Sequence, residues 1–143
     1  MIQFSFEDVK FTLSDRLKLK SWIKSVISGY GKKLGDVTYI FCSDDYLLSI
    51  NRQYLQHDYY TDIITFDYVD DVVISGDLFI SVDTVKSNSE LFGTTFTDEL
   101  HRVMIHGVLH LLGLKDKAPE DEEKMRNAEN KALFLLNSIL SSR

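Results

Sequence analysis

Three of the four histidines of this 143-residue chain fall within ten positions, at His101, His106 and His110. His106 and His110 are spaced i, i+4, which on a helix sets two imidazoles about 40° apart on one face, near enough to hold a single metal ion. Gly113 and Asp116 complete the string H-x-x-x-H-x-x-G-x-x-D. In it, glycine ends the helix and turns the chain so that a carboxylate returns to the pair. Two imidazole nitrogens and one carboxylate oxygen leave a tetrahedral zinc ion one open position for water, a standard catalytic arrangement. The competing reading makes both histidines ordinary core residues. The helix that carries them is apolar almost all round, through Leu100, Val103, Met104, Ile105, Val108, Leu109, Leu111 and Leu112. Two adjacent imidazoles buried there without a shared partner leave polar atoms unpaired, and a metal ion resolves both at once. His101, near the opposite face, is expected in the core, and His57, with no partner at readable spacing, on the surface.

The string approaches the signature of the metzincin proteases, which places Glu directly after the first histidine as general base. Here that position is Gly107. Peptide hydrolysis by that route loses its base, worth about 10²- to 10⁴-fold, so a protease is disfavoured.

The elements that must position these groups read as follows. Ile2, Phe4 and Phe6 alternate with polar residues as a half-buried strand, and Ser14 is expected to cap a helix with an apolar stripe of Leu17, Leu19, Trp22, Ile23, Val26 and Ile27. VTYIFC reads as a strand, with Ser43 and two aspartates starting a helix over DYLLSINRQYL. IITFDY and VVISGDLFIS read as two strands joined by a tight turn at Asp70-Asp71. A short helix ends at Gly93, Thr97 is expected to cap the histidine helix, and Pro119 opens a last helix. The order describes a mixed α/β, α+β fold: one domain over residues 1–143, about four strands in a mixed sheet and about five helices, one of them a zincin-like metal helix.

Composition narrows the function classes. With 44% apolar and 12% aromatic residues the chain has ample material for a core, and its one cysteine, Cys42, forms no internal disulfide and reads as a buried hydrophobe in a reducing compartment. The first ten residues carry acids where a signal peptide carries positive charge, and no apolar run nears the roughly 18 residues a membrane span needs, so the expected location is cytoplasmic, with no membrane partner. The net charge of -6 argues against indiscriminate nucleic-acid binding. Yet residues 1–35 hold seven Lys/Arg against three acids, while 36–100 hold two against thirteen. Lys18, Lys20 and Lys24 are therefore the candidate contacts for a polyanion, with an ordinary solvated helix face as the competing reading. Thr61 and Asp62 are read as capping the turn into a strand, and Asp77 as a neighbour of the site.

HGVLHLLGLKD strongly resembles the signature of the YbeY family, H-G-x-L-H-L-x-G-Y-D-H. NRQYLQHDYYTDIITF is similar to that family's N-x-x-Y-R-x-x-D-x-P-T-D-V-L-S-F, SGDLFIS to its G-D-I-x-I-S strand, and Glu99 stands where the family places a glutamate before the histidine helix. The blocks keep the family's order from about residue 37 to 116. The resemblance implies a metal-dependent endoribonuclease specific for single strands, acting in maturation of the 3′ end of 16S ribosomal RNA and in ribosome quality control. It implies one divalent ion, usually zinc, with His106, His110 and, by position, Asp116 as ligands. It implies ribosomal RNA and the ribosome or ribosomal proteins as partners, and not DNA. Two departures matter. Asp116 replaces a third histidine, a harder donor that relaxes selectivity toward manganese or magnesium. Leu55 replaces an arginine expected on the RNA phosphate, for which Arg52 and Arg102 are the candidate substitutes, with Glu99 as a candidate orienting group. A non-catalytic ribosome assembly factor with a structural metal, and a metal-dependent hydrolase of another substrate, stay open as alternatives.

Overall fold

A computed structural model describes residues 1–142. Four strands form one mixed sheet in the order β1-β2-β4-β3: β1 (Ile2–Phe6), β2 (Lys33–Cys42), β3 (Ile63–Asp67) and β4 (Val73–Ser81). The first three in that order run parallel, and β3 pairs antiparallel with β4 at the edge. Five helices complete the chain: α1 (Arg16–Gly29), α2 (Asp44–Leu55), α3 (Val82–Phe92), α4 (Phe96–Leu111) and α5 (Pro119–Ser141). The α+β class expected from the sequence is therefore found.

Alternation along the strands divides the core. Leu78 and Ile80 of β4 face a large cluster with Trp22, Ile23, Met104, Ile105 and Val108, while Phe79 joins Leu47, Ile50, Ile64 and Cys42 on the opposite face. Helices α1, α4 and α5 thus cover one side of the sheet and α2 the other. Burial pushes the Cys42 thiol up to about 12, as befits a core hydrophobe.

Two buried hydrogen bonds hold α4 and its neighbours in place. The Tyr39 hydroxyl of β2 donates to the Met104 carbonyl at 2.9 Å, and the Trp22 indole N–H of α1 donates to the Ala132 carbonyl of α5 at 2.7 Å. A Cβ at Gly107 would lie 2.8 Å from the Ile63 Cδ1 and 3.2 Å from both Leu78 methyls. Position 107 therefore faces the sheet, where any larger side chain meets Ile63 and Leu78. Gly76 is tighter still, since its Cβ would meet the Phe66 carbonyl oxygen at 2.7 Å. Because backbone cannot swing aside as a side chain can, Gly76→Ala should destabilise the fold by about 1–3 kcal/mol by levering β3 from β4. Chemical denaturation with an unchanged midpoint would contradict this.

Two helix starts differ from expectation. Asp15, not Ser14, occupies the cap of α1, in a left-handed conformation (φ 60°) with no side-chain cap bond. Thr95, not Thr97, caps α4, accepting from the Asp98 N–H at 3.1 Å. Either threonine suits a cap chemically; the earlier one lets Phe96 pack edge-on against Phe11 at 6.0 Å between ring centroids. The turn between β3 and β4 is as read, with Asp71 at φ 54° and paired backbone between Asp70 and Val73. Among the described residues no helix is long and apolar enough to cross a membrane.

His101 is in the core, edge-on to Trp22 at 6.2 Å, and burial holds its pKa below the ordinary value of 6.5, against the pull of Asp98 and Asp15. The unfolded chain then binds this proton first, so stability from His101 is complete above about pH 6.5 and declines as pH falls through the depressed folded value. His101→Phe should flatten that acid-side slope in pH-dependent denaturation relative to the parent; parallel curves would exclude it.

Candidate metal centre

The C-terminal half of α4 and the turn after it build the site. Gly113, at φ 101°, reverses the chain, with its N–H on the His110 carbonyl at 2.9 Å. That reversal brings the Leu114 carbonyl back to the His110 Nδ1, 3.0 Å away, and carries Asp116 to the histidine pair. The Asp116 Oδ2 lies 3.2 Å from the His106 Nε2 and 3.3 Å from the His110 Nε2. All three donor atoms lie within 4.8 Å of one another. A tetrahedral zinc ion with bonds of about 2.0–2.2 Å requires donors about 3.3 Å apart, so the donor set fits.

The partners on the far side of each ring decide the fit. His106 Nδ1–H donates to the Glu129 Oε2 at 2.7 Å, and His110 Nδ1–H donates to the Leu114 carbonyl. Both acceptors lack a hydrogen to give, so each Nδ1 carries a proton, and in the neutral form of such a ring the lone pair of Nε2 is on the side of Asp116. Three lone-pair donors facing one point are stabilised by a cation between them, and a carboxylate or carbonyl behind the ring is the usual support of a metal-binding histidine. The rings' partners engage each Nδ1 and leave the two Nε2 atoms beside Asp116, a group of three donors that could hold a metal ion.

Glu129 was not among the sequence candidates. It sits on α5 among the buried positions Met125, Ala132 and Leu136, spaced 4, 3 and 4, so an acid in the apolar register of a helix was the available signal. Its other oxygen accepts from Arg102 at 2.8 Å, and Arg102 also donates to the Asn130 side chain at 2.8 Å. Burial raises the Glu129 pKa, but the hydrogen bonds from His106 and Arg102 outweigh it and hold the carboxyl below the ordinary value. Burial likewise lowers His106, and the Glu129 hydrogen bond and charge outweigh it with help from Asp116 and Asp62, leaving the ring raised.

The other candidates scatter. Glu99 is buried in the same cleft, its pKa raised by burial, yet among the described residues it makes no hydrogen bond to either histidine; Glu129 performs the orienting role foreseen for it. Arg102 is at the site but bound to Glu129, whereas the exposed Arg52 pairs with Asp58 and lines neither side of the cleft. Arg126, which sequence reading passed over, lines the cleft beside Arg102, its Nη1 3.8 Å from the Glu129 Oε1 and its side chain 59% exposed. Lys18 donates to the carbonyls of Leu140 and Ser142 at the end of α5, and Lys20 lies over the Phe4 ring, leaving Lys24 as the exposed member of that trio. None of the three lines the cleft.

The cleft has two halves that share His106 and Asp62. One, about 600 Å³, runs between α4 and α5 past Arg102, Arg126 and Glu129. The other, about 430 Å³, runs past His110 toward the loop before β3. Burial raises the Asp62 carboxyl, which faces both halves.

Residues 3–137 match the family model described as endoribonuclease YbeY. The chain is 57% identical over 137 residues to the endoribonuclease YbeY of Phocaeicola vulgatus, covering 96% of this chain and 99% of that one. It is 56% identical over 134 residues to its namesake from Bacteroides thetaiotaomicron, covering 94% and 98%. A solution structure of a Thermotoga maritima protein superposes with a TM-score of 0.65 at 26% identity, covering 99% of this chain and 97% of that one.

Proposed function

Because this chain belongs to the YbeY family, we propose that it is a metal-dependent endoribonuclease that cuts single-stranded ribosomal RNA. Its biological role in this reading is maturation of the 3′ end of 16S ribosomal RNA and ribosome quality control in the cytoplasm. The observation that carries it is the convergence of the His106 Nε2, the His110 Nε2 and the Asp116 Oδ2 with both Nδ1 positions already engaged. These three atoms would hold one divalent ion, zinc first by donor type, whose positive charge offsets charge on the phosphoryl oxygens of the scissile phosphate.

The chain's own groups do the rest. Glu129 keeps the His106 ring in its tautomer and orientation, and Arg102 keeps Glu129 ionised and in place. In place of the missing arginine at Leu55, exposed Arg126 offers a guanidinium to an RNA phosphate entering between α4 and α5. Asp62, facing both halves of the cleft, is the carboxylate placed to accept a proton from the attacking 2′-hydroxyl or water. A protein this acidic meets RNA against net repulsion, so ribosomal protein partners and local cations such as Lys24 share the approach.

The test is cleavage of a precursor small-subunit RNA by untagged protein, with and without chelator, beside His106→Ala purified identically. Cutting that stops with chelator, returns with added Zn2+ or Mn2+ and is missing from the variant is expected. Equal cutting by both proteins exposes a contaminant and removes the nuclease reading. Binding to ribosomal RNA with no cutting favours the assembly factor with a structural metal.

A further inference from the structure

We infer that loop 56–60 builds a nucleobase-stacking subsite beside the histidine pair, with Tyr59 as its platform; this deepens the nuclease reading and rests on it. The smaller half of the cleft runs from His106 and His110 past Asn51, Leu55, His57 and Tyr59, and among the described residues no Lys or Arg lines it. Beyond the histidine pair, a nucleotide entering this half meets no lysine or arginine for its phosphate among the described residues. What the wall offers is aromatic surface. The His57 ring is stacked on Tyr59, 5.1 Å between centroids with 22° between planes, and the Tyr59 hydroxyl lies 3.0 Å from the His57 Nδ1. His57 covers one side of the tyrosine, yet 55% of the residue stays open.

The platform is built rather than incidental. Asn51, only 1% exposed, holds the loop at both ends: its side-chain N–H donates to the Tyr59 carbonyl at 2.9 Å, and its own carbonyl accepts the His57 N–H at 3.1 Å. Gln56, at φ 56°, makes the left-handed turn that ends α2 and aims the loop at the cleft. Farther along, the Tyr60 hydroxyl donates to Asp45 at 3.2 Å. The buried amide of Asn51 thus holds the backbone of an exposed ring at the mouth of the cleft that contains the ligand pair.

Stacking on an aromatic side chain suits every base, because each has a π-face, and it requires that the base be unpaired and splayed from its neighbours. A base on Tyr59 therefore comes from a nucleotide flanking the bond presented to His106 and His110, and a duplex does not satisfy the contact. The subsite supplies selectivity for single strands without reading sequence. It also supplies attraction by contacts indifferent to the acidity of the chain.

The experiment is binding of a fluorescent, cleavage-resistant 2′-O-methyl phosphorothioate oligonucleotide to the metal-loaded protein, followed by anisotropy. Tyr59→Ala should weaken binding about tenfold, within the range for loss of one stacked base, while Tyr59→Phe and Tyr59→Trp stay within about twofold of the parent. Circular dichroism and melting of all three variants check the fold. An abasic residue is then walked along the oligonucleotide; at one position it should weaken the parent about tenfold and leave Tyr59→Ala unchanged. Equal binding by Tyr59→Ala, equal loss in Tyr59→Phe and Tyr59→Trp, or no position at which the two effects merge would overturn the subsite. The cleavage assay above reads the other premise separately. A parent protein that cuts no RNA removes the nuclease reading, while its binding still decides the subsite: dependence on Tyr59 supports it and independence overturns it.

Discussion

Replacing His110 with Ala should lower RNA cleavage at least about 100-fold and remove the metal together with the activity. The variant deletes one of three donors that face a common point, leaving His106 and Asp116 to hold an ion with two atoms. The apo fold should survive, because the His110 side chain is 30% exposed and its partner on the protein side, the Leu114 carbonyl, lies in a turn already held by the Gly113 and Leu114 N–H groups. Thermal melting separates the effects. Apo parent and apo variant should melt together, whereas added Zn2+ should raise the parent only, by about 4 kcal/mol of stability at a thousandfold excess over Kd. Equal metal-induced shifts in both proteins would place the ion elsewhere.

Glu129→Ala should be the most damaging single change outside the donor set. The Glu129 side chain is 8% exposed, bonded to the His106 Nδ1 on one oxygen and to Arg102 on the other. Removing it leaves a part-buried guanidinium and an imidazole N–H without their acceptor. Breaking such a buried pair costs about 3–5 kcal/mol. Loss of the support behind a metal ligand lowers metal affinity about 10- to 100-fold. Glu129→Gln divides the two roles, since its one carbonyl oxygen can serve His106 or Arg102 but not both. Stability should then recover in part while metal affinity stays reduced, read by denaturation and by competition with a chromophoric chelator. Metal affinity unchanged in both variants would reduce Glu129 to a packing residue.

The histidine helix, its spacing, the glycine stop and the returning aspartate were legible in the sequence because each is local. An i, i+4 pair, a positive-φ glycine and a carboxylate three residues later are related by a few backbone angles. The strand pattern was legible for the same reason, with period-two alternation in IQFSF and β-branched runs in the others. The exchange of Thr95 for Thr97 as the α4 cap shows the limit, since two threonines two residues apart offer the same chemistry and the packing of Phe96 on Phe11, distant in sequence, separates them.

The support of the site lies beyond that reach. Glu129 is 23 positions from His106 and 27 from Arg102, and only the packing of α5 against α4 brings it to either. The same packing turns Arg102 from a candidate contact for RNA into a holder of Glu129, sets the exposed Arg126 at the cleft 3.8 Å from the same carboxylate, and ties Lys18 to the end of α5. Tyr59 and His57 read as an irregular polar segment until β3 pairs with β4 and Asn51 fixes the loop against the cleft. By itself the sequence determined which atoms could bind a metal and on what element they sit, because those follow from local backbone periodicity. Tertiary structure alone decided which ring nitrogens face Asp116, which charges are already spent on partners and what lines the approach, because these depend on side chains meeting across helices and strands far apart in the chain.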